Sequence, residues 1–546
     1  MSKLKTDAGG SASEKRVAFD WFDAVFLLVT AAVSMMVMLP LLLTGRHLSG
    51  GDGLFTVDQM QYLAWVRDAG DHWLIGNKFD FRPDHRVFLH PGYLISGLLH
   101  RYLGVPLPEA YTAVWKPIAV FVTFFGIRNY TKRLVVGLWA RRTAMLLALL
   151  TLMGWSTLAN WAGAGDSVKY SLDFISSEMW SGQLLMGYEF GAIAVFLLPL
   201  VLLVVERARA ERKPGLILLA ALGALVVTWL QPWQGGELLG IVILVELFRW
   251  LRRDVRPDWR LLWVVAAGLA PAIYYSAVAA SDASWKLAGE MNKRGAQPLW
   301  DWPLWAVALT VAPLAIPALI SLHRRVDGWQ EIAVRVWPLA VVVVYLQPFG
   351  TFPYHSFQGL ALPLAILAVQ AFTQERPRWL PRPRWWWVAA AVVVLTVPGT
   401  VHRMRLAADN VDKGYFPYYI APGEAEALSF LNKAPRGKVL ADPYGGLFVP
   451  AYSGQEAYVG PRSWSPDWDN RSNLAAGLFL GLFNPAQAQA AVRSTGAKYI
   501  FAKCAKLEGR LGSLAPALGP LLESEHRFGC ATVYVLNDPP APPNGG

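Results

Sequence analysis

Apolar runs long enough to cross a lipid bilayer recur along most of this chain, and no other feature constrains its fold as much. A hydrocarbon core of about 30 Å takes roughly 20 helical residues to span. Within it, every backbone polar group has to be bonded inside its own segment or by a neighbour. Such runs fall at about 24–43, 114–130, 143–161, 185–205, 216–230, 238–251, 261–280, 304–322, 332–346, 359–372 and 385–401. The expected fold class is a polytopic α-helical membrane protein of about 11 spans. Composition agrees: of 546 residues 54% are hydrophobic and 16% charged, and the mean hydropathy is +0.32, which is not the profile of a soluble globular enzyme.

The formal charge of +11 invites a nucleic-acid reading that the placement of the charges removes. Basic residues crowd every second short loop: Lys132, Arg133, Arg141 and Arg142; Arg207, Arg209, Arg212 and Lys213; Arg252, Arg253 and Arg256; Arg324 and Arg325; Arg376, Arg378, Arg382 and Arg384. The loops between are acidic or aromatic. The positive-inside rule then puts a multi-pass chain in the cell membrane with its N-terminus cytoplasmic and its C-terminus outside. The 25 Trp residues suit two membrane interfaces, and suit sugar stacking as well. Residues 1–20 read as a disordered cytoplasmic tail, and the first run lacks a cleavage site, so it reads as a retained span within a membrane module over 21–402.

Beyond His402 the pattern changes to alternating helices and short strands. GEAEALSFLNK and PAQAQAAVRSTG read as helices, GKVLADP, AKYIFAKC and CATVYVLN as strands. This gives an extracytoplasmic α/β domain over 403–538, followed by a Pro-rich disordered tail at 539–546. Cys504 and Cys530 both fall in it; an external compartment permits a disulfide, with two buried thiols as the alternative. No metal-binding spacing is present.

Chemistry has to come from the loops. The first extracytoplasmic loop, about 45–112, carries Asp52 and Asp58. Thr56 with Gln59 forms a capping-box pattern that predicts a helix from Val57. On that helix Val57, Met60 and Ala64 share one face, and Asp58, Gln61, Tyr62 and Trp65 the other, so the helix is expected to lie along the membrane with the second face presented. An ionised carboxylate is what a general base requires; the plainer alternative is that Asp58 supports the helix start. Arg82, His85, Arg86 and His90 follow, with Lys293 and Arg294 in a later outer loop. Cations outside run against the topology rule, so they read as phosphate ligands or headgroup contacts. WLQPWQGGELL and YLQPFG…SFQGLALPL repeat a Gln-Pro-aromatic exit, offering Gln231, Gln234, Glu237, Gln347, His355 and Gln358 to a polar substrate, or simply ending two spans. No P-loop, HExxH or Ser/His/Asp pattern occurs, which argues against ATP-driven work.

With this layout the chain resembles the GT-C superfamily of integral-membrane glycosyltransferases, which includes bacterial mannosyl- and arabinosyltransferases, lipid A aminoarabinose transferases and oligosaccharyltransferase catalytic subunits. The likeness rests on VDQMQYLAWVRDAG just after the first span, with Asp58 at the position of the family's carboxylate, and on the multi-span body with its terminal domain. SFQGLALPLAILA and VLADPYGGLFVPAYSGQEAYVGPRSWSPDWD are similar to segments of uncharacterised bacterial members. The resemblance implies transfer of a hexosyl or pentosyl group from a polyprenyl-phosphate sugar to a hydroxyl of a glycan, lipid or protein acceptor, with inversion. Asp58 is then the base, with Asp52 in reserve. Gln61, Tyr62, Trp65, His85, His90, His355 and Gln358 contact substrate, and Arg82, Arg86, Lys293 and Arg294 supply charge for the phosphate. The two acids are spaced rather than adjacent, which leaves participation of a divalent metal ion open. Two other readings compete. A lipid or glycan transporter predicts ionisable residues near span centres, and the spans carry almost none. A non-catalytic cell-envelope polysaccharide assembly protein predicts that Asp58 is dispensable. Trp464, Trp468 and Asp469 serve either acceptor binding or contact with the membrane body.

Overall fold

The computed structural model of the chain describes residues 19–81, 85–253, 255–295, 304–347, 352–374, 376, 378–379, 383–414, 417–504 and 513–537. The two expected terminal tails lie outside them, apart from the last residues before the first helix. A helix stands at each position where a span is expected. Among the described residues, six are long and apolar enough to cross a membrane: Leu107–Leu134, Glu189–Glu211, Trp259–Ser281, Trp329–Leu346, Pro353–Thr373 and Trp385–Lys413. Trp21–Ser34, Pro214–Leu230 and Trp305–Ser321 are apolar but shorter.

Two expected spans are not continuous. The first divides into Trp21–Ser34 and Met38–Leu43. The third breaks after Leu150, and Trp155–Trp161 leaves at 63°. Hydropathy does not reveal the second break, because TLMG is as apolar as its flanks. Its backbone is satisfied from outside: Leu152 N–H donates to Leu395 O at 2.9 Å. The approach is so close that a Cβ on Gly399 would lie 1.9 Å from Leu152 O, so the helix Trp385–Lys413 can take no other residue there without moving.

That same helix runs past His402 to Lys413, and the C-terminal fold follows from Pro422. Its sheet has five strands in the order β2-β1-β3-β5-β4: β1 Lys438–Ala441, β2 Glu456–Ala457, β3 Tyr499–Ala502, β4 Leu522–Phe528 and β5 Ala531–Leu536. β1 pairs parallel to β2 and β3, while β5 runs antiparallel to β3 and β4. The three strands read from sequence are β1, β3 and β5. Two-residue β2 and the polar β4, LESEHRF, carry too little apolar alternation to be legible. The helix Pro485–Thr495 ends at Gly496 in the left-handed region, φ +67°, as its sequence requires.

Cys504 and Cys530 are joined in a disulfide, which settles the alternative left open by the sequence. The bond closes 26 residues of chain, for which loop entropy suggests about 3 kcal/mol. Cys504→Ser is expected to destabilise the C-terminal domain by that amount in denaturant titrations. Reductant should do the same to the wild type and nothing further to the variant.

The C-terminal domain is packed onto the helical body through aromatic rings. Trp464 is buried and meets Trp65 at 5.2 Å and Trp285 at 4.9 Å, both edge to face. Its carbonyl accepts from Asn77 Nδ2 at 2.9 Å. Of the two readings of Trp464, the structural contact is the one observed. Trp468 and Asp469 turn back on their own domain: Trp468 Nε1 donates to Gly460 O at 2.9 Å, and Asp469 pairs with Arg462 at 3.3 Å.

Candidate functional site

The loop after the first helix pair is fixed by one amide. Gln59 Oε1 accepts from the N–H groups of Asp52 (2.9 Å) and Gly53 (3.0 Å), and its Nε2 donates to Asp52 Oδ1. Thr56 Oγ1 and Tyr418 Oη both donate to Gly53 O, at 3.2 and 3.0 Å. Gly53 lies against the turn at Met186, where a Cβ would come 1.9 Å from Met186 O. The helix begins one residue earlier than expected, at Thr56, with Phe55 as an N-cap that makes no side-chain bond. Gln59 reaches past the cap to the loop, so the capping box does not form even though its residues mark the helix start.

The helix Thr56–Asp71 does not lie on a surface. Met60, Leu63 and Val66 are fully buried, and on the face expected to be presented Gln61 and Trp65 are buried too. It is wedged between the helix Pro91–Leu103 and the C-terminal domain. At the first contact Gly70 and Gly97 cross so closely that a Cβ on Gly97 would sit 2.5 Å from Gly70 N. At the second, Arg67 Nη1 donates to Ala451 O and Tyr452 O at 3.2 and 3.1 Å. The residues of one helix do not reveal that a distant domain covers it, so its face pattern points to a surface that the fold does not leave open.

The two acids fare differently. Asp52 is 1% exposed and pairs with Lys116 Nζ at 2.7 Å. That ammonium also meets Glu189 at 3.4 Å and donates to Ser34 O and Leu185 O at 3.1 and 2.8 Å. Asp52 is therefore committed to holding four segments together. Asp58 is half-buried, and among the described residues it makes no hydrogen bond or ion pair. Burial raises its pKa from 3.8 to about 6, against the smaller opposing effect of His355 nearby. A half-buried carboxylate that makes no hydrogen bond or ion pair among the described residues, with its pKa raised, is chemically able to accept a proton.

Around Asp58 the two Gln-Pro exits converge. His355 sits in the turn Pro353–Phe357, its Nε2 3.1 Å from Tyr188 Oη. Its Nδ1 lies 2.8 Å from Gln358 Nε2 and 3.4 Å from Glu178 Oε2. Gln358 Nε2 also donates to Glu178 Oε2 at 3.1 Å, and Gln234 Nε2 to His355 O at 2.9 Å. Gln231 Nε2 reaches Gln358 Oε1 at 3.5 Å. The rings of Trp233 and Phe352 stand 5.0 and 4.7 Å from that of His355. Tyr62 links this cluster to the helix, with Tyr188 at 6.3 Å and Tyr93 at 5.7 Å. Glu237 stays out: it is buried and accepts from Trp337 Nε1 at 3.2 Å. Glu178 and Tyr188 belong to the second acidic loop and its exit; no motif marks either as functional, and only the fold brings them to His355.

The remaining candidates scatter. His85 is exposed. Arg86 pairs with Asp68 at 3.5 Å. His90 is buried and caps the next helix by accepting from Tyr93 N–H at 3.4 Å. Burial pushes its pKa down to about 3, so it stays neutral and offers a phosphate no charge. Arg82 and the side chains of Lys293 and Arg294 lie outside the described residues. Among the described residues, no three His, Cys, Asp or Glu side chains gather as a metal site.

No family model matches the chain, and no curated protein matches it in sequence. Solved structures do match in fold. The apo oligosaccharyltransferase of Archaeoglobus fulgidus aligns with a TM-score of 0.50 at 13% identity, over 88% of this chain and 70% of its own. ArnT from Cupriavidus metallidurans in the apo state aligns at 0.46 and 13%, over 94% and 96%. The mycobacterial arabinofuranosyltransferase AftD aligns at 0.47 and 14%, over 96% and 42%. At such identities the likeness concerns fold alone: the chain shares the fold of the archaeal oligosaccharyltransferase, in line with the resemblance that its sequence carries.

Proposed function

We propose that the protein is a membrane glycosyltransferase that moves a sugar from a polyprenyl-phosphate donor to an acceptor hydroxyl on the extracytoplasmic side, with inversion and with Asp58 as general base. The observation that carries the reading is Asp58 itself, an unpartnered, half-buried carboxylate with a pKa raised to about 6, in a GT-C fold, at the first turn of the helix that follows the first apolar segment. Asp58 takes the acceptor proton as that oxygen attacks the anomeric carbon. The bond from that carbon to the phosphate oxygen breaks, and its electron pair leaves with the lipid phosphate. A phosphate is already a good leaving group, so a positioned base and orientation supply most of what the reaction needs. Asp52 acts at one remove, by fixing Gln59 and the start of the helix.

The test is turnover of purified protein with a panel of radiolabelled polyprenyl-phosphate sugars. Transfer or donor cleavage is expected with one of them, and silence across the panel contradicts the reading. Within it, His355→Ala carries its own expectation. His355 lowers the pKa of Asp58, so its removal moves the Asp58-controlled limb of the pH–rate profile to higher pH; an unmoved limb rules out that coupling.

A further inference from the structure

A second polar site lies at the far end of the same helix. Arg67 is nine residues beyond Asp58, about 13 Å along the axis, on the opposite face. With Arg436, Lys438, Lys78 and Arg86 it lines a cleft of about 570 Å³ between the helix and the C-terminal domain. That volume falls in the usual range for small-ligand sites.

The charges in the cleft are not balanced: against those five cations stand the carboxylates of Asp68, Asp71 and Glu456. Asp68 is shared by His72, Lys78 and Arg86 at 3.2, 3.8 and 3.5 Å, and Asp71 by Arg101 and Arg436 at 3.4 and 3.8 Å. Arg67 has neutral partners among the described residues: the carbonyls of Ala451 and Tyr452 and the carboxamide of Asn432. It is held beside a second cation. A Cβ on Gly454 would lie 2.5 Å from Arg436 Nη1 and 2.8 Å from Arg67 Nε, so the two guanidiniums converge on one point. Burial and then Arg436 lower the pKa of Arg67, against the smaller opposing effect of Asp71. Asp71, which pairs with Arg436 at 3.8 Å and also acts on Arg67, is the carboxylate beside the two guanidiniums; a further anion would offset more of the cost of holding two cations face to face, and paired guanidinium forks suit an oxyanion.

We propose that this cleft binds a carboxylate-bearing saccharide, with its oxyanion across Arg67 and Arg436. The saccharide part of the proposal rests on the transferase reading; the anion part does not. Calorimetry on the full chain in lipid nanodiscs tests it with three probes: trigalacturonate, neutral maltotriose and inorganic phosphate. Trigalacturonate is expected to bind, less tightly as salt rises, and maltotriose not to. Arg67→Gln and Arg436→Gln are each expected to weaken binding about tenfold or more. Arg436 is largely exposed, so its variant keeps the test open if Arg67→Gln fails to fold. Unchanged affinity in Arg436→Gln, binding of phosphate alone, or no binding at all overturns the proposal. Because binding is read without turnover, a wild type that binds trigalacturonate yet transfers nothing overturns the transferase reading and leaves the anion site standing.

Discussion

Asp58→Asn is expected to lower kcat by about 10²–10⁴-fold, the usual contribution of a general base, with donor KM changed little. The same substitution should stabilise the protein. The folded pKa of about 6 lies above the ordinary 3.8, so the ionised carboxylate opposes folding. That cost is fully present above pH 6, fades as pH falls, and is absent below 3.8. Asp58→Asn removes it, raising stability at pH 7.5 by something on the order of 1–3 kcal/mol, seen as a higher melting temperature, with no difference from wild type near pH 3.5. Loss of activity with loss of stability would instead mark Asp58 as structural.

Lys116→Met is expected to have the largest effect on stability. Lys116 is 6% exposed and is the cation for both Asp52 and Glu189. Removing it leaves two buried carboxylates to be neutralised or hydrated, a loss of about 3–5 kcal/mol. Asp52 then loses part of what fixes it, and with it the Gln59 bridge to the start of the helix that carries Asp58. Asp52→Asn added to Lys116→Met should recover part of the loss, since one uncompensated charge goes with it. Thermal melting of the three proteins measures this; equal melting of Lys116→Met and wild type would show that the triad does not hold the segments together.

Much of the fold is legible because membrane helices announce themselves through composition. Helices stand at the expected span positions, and β1, β3 and β5 sit in the segments that read as strands. The break at Thr151–Gly154 is not legible, because Leu395 satisfies its backbone from a helix far along the chain. Within the site, Asp58 stands out by its place after the first apolar run. The standing of Asp52 does not, because Lys116 and Glu189 are brought to it by packing. Glu178 and Tyr188 likewise acquire meaning only beside His355.

The most direct test of the account is the pH–rate profile of purified wild-type protein with whichever radiolabelled polyprenyl-phosphate sugar the panel shows to be turned over. Activity is expected to rise with unit slope through a midpoint near pH 6, set by Asp58, and Asp58→Asn should lose both the limb and the rate. A profile flat from about pH 5 to 8, or full turnover in Asp58→Asn, would contradict it.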